Sequence, residues 1–147
     1  MEFSSKEKFF LKNKYKNLNK NTGLKISSSG KTLIILPDSD IAFDLAKLFF
    51  NKADSKITFL LKDSITGFYP NEIISQCIQY TYSDMNSLGL PREVLIQKIQ
   101  QYNFENMIDL NVSFSRFGAY LSLLSDTKVR MGFNYDNSKK YYNVILD

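Results

Sequence analysis

The stretch "NFENMIDLNVSFSRFGAYLSLLSDTKVRMGF" (residues 103–133) decides the fold of this chain. Its first part, FENMIDLN (104–111), reads as a strand with an apolar centre that ends in an acid, Asp109. A short loop follows, then FSRFGAYLSLLS (114–125), whose small and apolar residues suit a packed helix, then the strand KVRMGF (128–133). A strand, a helix and a strand joined by short loops form a βαβ unit, so the two strands lie parallel with a right-handed crossover.

The same alternation extends upstream. TLIILP (32–37) is an unbroken apolar run, as expected of a strand buried on both faces of a parallel sheet, and Pro37 stops it. Asp38 and Asp40 stand as N-caps before the helix IAFDLAKLFFNKA (41–53), in which Ile41, Ala42, Leu45, Leu48 and Phe49 recur at helical spacing. KITFLLK (56–62) is a second strand with charges at its edges, and residues 64–76 read as a loop leading into a short helix at 71–76. CIQYTY (77–82) is a third strand, and SDMNSLGLP (83–91) is rich in turn residues. Pro91 suits the first turn of the helix REVLIQKIQQY (92–102), and YYNVIL (141–146) supplies a sixth strand. The expected fold is α/β: a three-layer Rossmann-like domain over residues 31–147, with a mostly parallel sheet of five to six strands.

Composition narrows the chemistry. The 147 residues include 12 Phe and 9 Tyr, ample material for one core, and no run approaches the roughly 20 apolar residues of a membrane span. The chain has no histidine, which removes His-based triads, HExxH zinc sites and His proton shuttles. Its single cysteine, Cys77, excludes an internal disulfide framework and a cysteine zinc site, and suits a reducing, cytoplasmic setting. Neither a metal nor a cofactor is expected.

The net charge of +4 is unevenly placed. Residues 1–30 carry Lys6, Lys8, Lys12, Lys14, Lys16, Lys20 and Lys25 against Glu2 and Glu7, so the remainder is close to neutral. In this N-terminal helix and linker, Phe3, Phe10, Leu11, Tyr15 and Leu18 fall near one stripe with lysines around it. The stripe suits docking on the chain's own domain, and the lysines suit an anionic surface, either RNA or an acidic membrane.

Residues 102–146, YNFENMIDLNVSFSRFGAYLSLLSDTKVRMGFNYDNSKKYYNVIL, resemble the end of the N-terminal domain of glycosyltransferase family 9, the lipopolysaccharide heptosyltransferase family. That family shows, in order, a strand of the form YDLVIDL, a helix of the form S…LLSGAK, a strand RIGF and a closing YN strand. Met107-Ile108-Asp109-Leu110, Leu124-Ser125-Asp126-Thr127-Lys128, Arg130-Met131-Gly132-Phe133 and Tyr142-Asn143 follow that order here. The likeness weakens back to residue 32 and is absent from the basic arm; some short bacterial proteins look like this half alone. The family's first loop has the form R-x-D-x-x-G-D and carries an acid proposed as general base. Here LIILPDSDIAF stands in its place, without the arginine or the glycine. The family also binds its nucleotide sugar chiefly with a C-terminal domain, and this chain ends where that domain would begin.

The resemblance implies two functions. One is a non-catalytic binding or accessory protein with a basic arm for an anionic partner. The other is half of a glycosyltransferase, completed by another chain or by homo-oligomerisation, with Asp38 or Asp40 as the base. Asp109, Ser113, Ser115 and Arg116 are the candidate ligand-binding residues: an acid at a strand end orients hydroxyls, and a helix start with an arginine holds anions. Each has a structural alternative, since such acids also cap helices or receive loop N–H groups. Arg130 reads as a strand-edge charge or an ion-pair partner. A hairpin-like turn at Asp136-Asn137-Ser138 explains GFNYDNSKKYY (132–142) more simply than a nucleic-acid stacking surface does.

Overall fold

The computed structural model describes residues 30–39, Asp44, Lys47 and 56–147. The basic arm with Lys6, Lys8, Lys12, Lys14, Lys16 and Lys20, and the candidate base Asp40, lie outside the described residues. Of the helix expected at 41–53, Asp44 and Lys47 are described; both are helical and their side chains pair at 3.4 Å.

Among the described residues there are six strands: β1 (Thr32–Ile35), β2 (Ile57–Lys62), β3 (Cys77–Tyr80), β4 (Asn106–Asp109), β5 (Val129–Phe133) and β6 (Val144–Leu146). They form one sheet in the order β3-β2-β1-β4-β5-β6, with every pair parallel. Three helices are described, α1 (Asn71–Ile74), α2 (Glu93–Gln101) and α3 (Arg116–Leu124), with 3-10 turns at Asp63–Phe68, Tyr82–Asp84 and Ser138–Lys140. This is the three-layer Rossmann-like arrangement expected from the alternation of periods.

The apolar runs explain the layers. Alternate residues of β1 serve opposite faces: Leu33 and Ile35 join one cluster, Ile34 and Leu36 the other. The first cluster is closed by Leu95, Ile96 and Ile99 of α2 and by Phe117 and Leu121 of α3. The second is closed by Ile65 and Tyr69 from the segment after β2, with Ile73 and Ile74 of α1 against it. A strand that must be apolar on both sides reads as an unbroken run, and TLIILP does so for that reason.

Strand order reverses at β1, whose neighbours are β2 on one side and β4 on the other. In open α/β sheets the carboxyl ends of the strands at such a reversal are where ligands bind. Asp38 follows β1 and Asp109 ends β4, so both stand at this edge.

Three local expectations are corrected. β5 and β6 pair in parallel, so residues 134–143 form a crossover and not a hairpin; the 3-10 turn at Ser138–Lys140 and the left-handed Asn137, φ 68°, reverse the chain compactly. Pro91 lies before the N-cap of α2, Arg92, and bridges to Met85 in antiparallel fashion. Lys62, read as an edge charge, is buried.

Leu121 is wholly buried between α3 and the sheet. Leu121→Ala is expected to cost about 2–5 kcal/mol in urea unfolding. Val94→Ala, on the exposed side of α2 at 74 % accessibility, stays within about 0.5 kcal/mol of the parent.

Candidate functional site at the carboxyl edge of the sheet

Asp109 is 1 % exposed. The Tyr142 hydroxyl donates to its Oδ2 at 2.5 Å, and the backbone N–H and side-chain amide of Asn111 donate to Oδ1 at 3.0 and 2.6 Å. Two glycines make this packing possible. A methyl group on Gly118 of α3 would lie 2.0 Å from Asp109 Oδ2, and one on Gly132 of β5 would lie 2.7 Å from the Tyr142 ring. Gly118 lets α3 close down over the acid, and Gly132 lets the tyrosine lie across β5 to reach it.

Burial pushes the Asp109 carboxyl above its ordinary range, with the bonds from Tyr142 and Asn111 opposing the rise. Burial likewise raises the Tyr142 hydroxyl, reinforced by the neighbouring Asp109 and Tyr135, so it remains a donor. Tyr135, edge-on to Tyr142 at 6.1 Å between ring centres, is pushed up to about 12, mainly by burial. Asp109 therefore occupies the predicted place on the rim of a central strand, but its oxygens are committed inward.

The other candidates separate. Ser115 is the N-cap of α3 and accepts from the Gly118 N–H at 3.1 Å. Ser113 is exposed in the preceding loop. Arg116 opens α3 and lies half-buried, with Nη1 3.5 Å from the Leu88 carbonyl oxygen. The α3 start is thus partly occupied by its own cap and by contact with the loop after β3.

A second cluster, built on Lys62, was not foreseen. Lys62 ends β2, is 5 % exposed and pairs with Asp38, whose side chain keeps 44 % of its surface accessible. Its ammonium also lies 4.0 Å from the centre of the Tyr82 ring. Burial alone would lower the Lys62 pKa; the bonds to Asp38 and Tyr82 outweigh it and hold the group above its ordinary value. The missed signal was strand parity: Lys62 is paired in register with buried Tyr80, two residues beyond buried Leu60.

The remaining expectations resolve into structure. Arg130 is buried, with Nε 3.0 Å from the Tyr141 carbonyl and Nη1 3.4 Å from that of Thr127; burial lowers its pKa. Tyr141 and Tyr142 face the core with Ala119, Tyr120 and Leu123, so GFNYDNSKKYY is not a stacking surface. The Cys77 thiol donates to the Ile73 carbonyl at 3.0 Å and burial raises it to about 11, which leaves little thiolate. Among the described residues, no group of three or more His, Cys, Asp or Glu is placed to hold a metal ion, and no helix is long and apolar enough to cross a membrane.

The chain matches no known family model, no curated protein and no solved structure.

Tyr142→Phe removes the shortest bond to Asp109 and is expected to cost about 1–3 kcal/mol near pH 8. Because the folded carboxyl holds its proton above the unfolded value, its stabilising contribution is full at low pH and is lost as pH rises through the folded value. The Tyr142 bond favours the ionised form, so the deficit of Tyr142→Phe shrinks as pH falls, measured by urea unfolding across the range. At the second cluster, Asp38→Asn strands a buried ammonium and costs about 2–3 kcal/mol, whereas Lys62→Met leaves Asp38 facing water and costs about 1 kcal/mol or less.

Proposed function

We propose that this chain is a non-catalytic binding or accessory domain of the glycosyltransferase family 9 N-terminal type, brought to an anionic partner by its basic arm. The observation that supports this reading is the fate of Asp109 and Asp38, the two candidate acids that the structure describes. Asp109 is buried and bonded to Tyr142 and Asn111, and Asp38 is paired with Lys62. A general base needs a carboxylate within hydrogen-bond reach of an acceptor hydroxyl and free to take its proton. Asp109 lacks access, and Asp38 is engaged in an ion pair with the buried Lys62 ammonium. The loop between β1 and the following helix also lacks the glycine that lets backbone approach a ligand closely.

The arm carries the partner interaction in this reading. Lys6, Lys8, Lys12, Lys14, Lys16 and Lys20 provide a dense positive segment next to a near-neutral remainder. Such a segment binds RNA phosphates or an acidic lipid surface with strong salt dependence, and places a cytoplasmic protein at the inner membrane face when lipid is the partner.

A second reading, half of a glycosyltransferase completed by another chain or by self-association, is favoured by one observation: Asp38 keeps nearly half its side chain accessible beside the strand-order reversal. Asp38 would then be the base, with Asp40 as the alternative.

The deciding experiment compares the full chain with a variant in which the six arm lysines are glutamine. The full chain should bind single-stranded RNA or acidic vesicles with a log–log salt slope of roughly −0.7 per engaged lysine on RNA, and the variant should lose that binding while keeping its circular dichroism. Equal binding by both proteins discards the recruiting arm. Calorimetric heat with a nucleotide sugar, reduced in folded Asp38→Asn, would move the assignment to the half-enzyme.

A further inference from the structure

Lys62 carries a cost that packing does not explain. A methionine or leucine at the end of β2 fills similar space without desolvating an ammonium. Both groups that compensate Lys62 are surface groups: Asp38, with its side chain 44 % accessible, and Tyr82, 70 % exposed. A buried cation here fixes an exposed carboxylate and an exposed ring in one arrangement.

The backbone that carries Tyr82 is fixed as well. Tyr82 opens the 3-10 turn Tyr82–Asp84, closed by a capping box in which the Thr81 N–H donates to Asp84 Oδ2 at 2.7 Å and the Ser83 N–H donates to Thr81 Oγ1 at 3.1 Å. Lys62 lies over the ring at 4.0 Å, and most of the remaining ring surface meets water. Beneath this layer, Tyr80 stacks on Phe117 with 4.4 Å between ring centres, which anchors the end of β3. The result is a flat, solvent-facing aromatic ring at the carboxyl ends of β2 and β3, on the side of an open α/β sheet where ligands bind.

The charge around it is not suited to phosphate. Asp38 neutralises Lys62, and Asp63 follows Lys62 directly. The Tyr80 hydroxyl, held above its ordinary value mainly by burial, also feels Asp38, Asp109, Tyr82 and Asp63. A ligand here needs a plane to stack on Tyr82 and neutral donors for the open oxygen of Asp38.

We propose that Tyr82 and Asp38 form a binding site for an uncharged nucleoside, with the base stacked on the Tyr82 ring and the ribose hydroxyls donating to the Asp38 carboxylate. Ring and carboxylate touch the same ammonium, so they lie close enough for one nucleoside to span them. The site is independent of the basic arm and uses Asp38 as an acceptor rather than as a base.

Titration of the full chain with adenosine, adenosine 5′-monophosphate and ribose, followed by NMR, tests it. Adenosine should saturate and should bind more tightly than its monophosphate, with ribose about tenfold weaker or worse for want of a stacking base. Tyr82→Ala, a change at an exposed ring, should keep its circular dichroism and weaken adenosine about tenfold, while Tyr82→Phe stays within about twofold of the parent. No adenosine binding at millimolar concentration, tighter binding of the monophosphate, or an affinity unchanged in folded Tyr82→Ala would each overturn the assignment.

Discussion

A carboxyl group withdrawn from water and met by a tyrosine hydroxyl at 2.5 Å holds together the half of the sheet that runs from β4 to β6. Asp109 ends β4, Tyr142 lies in the crossover before β6, and Gly118 and Gly132 let α3 and β5 approach them. One interaction therefore ties a strand, a helix and a crossover into a single packing unit. The cost of burying the acid is offset by three donors, two of them from Asn111 in the adjoining loop. Where a longer connection would place a helix over β5 and β6, this chain uses a 3-10 turn and a cluster of tyrosines. Tyr120, Tyr141 and Tyr142 fill the space with Ala119 and Leu123.

The opposite half is fastened by another polar pair. Lys62 and Asp38 join the ends of β2 and β1, and Tyr82 after β3 closes over them. The two devices differ in what they leave at the surface. The Asp109 cluster turns all its groups inward, whereas the Lys62 cluster buries the cation and presents its partners outward. An edge rich in acids is thus chemically quiet on one side of the strand-order reversal and open to contact on the other.

Much of the fold was legible because periodicity and two-sided burial leave strong marks. The run at 32–37 is apolar because Leu33 and Ile35 face one layer while Ile34 and Leu36 face the other. The helices expected at 92–102 and 114–125 stand at 93–101 and 116–124, and the acid expected at the end of the strand 104–111 ends β4. The β5–β6 connection was misread because Asp136-Asn137-Ser138 has turn chemistry that serves hairpins and tight crossovers equally. Strand direction is set by tertiary pairing, which no local residue reveals. The site was less legible for a related reason. Lys62 looks like an ordinary terminal charge until its register partner, Tyr80, is known, and Arg130 looks like a surface cation until the Tyr141 carbonyl is seen against it. The role of Gly132 depends on a ring ten residues away in the chain.

The central position of β1 also sets an order of assembly. Its register places Ile34 beside Phe59 on one side and Ile108 on the other, partners 25 and 74 positions along the chain. Closing the longer loop costs only about 1 kcal/mol more in chain entropy, but synthesis from the N-terminus makes β2 available well before β4. A nascent chain therefore carries β1 with one hydrogen-bonding edge bare until β4 emerges, a sticky template that the growing polypeptide must shield before its own later strand caps it.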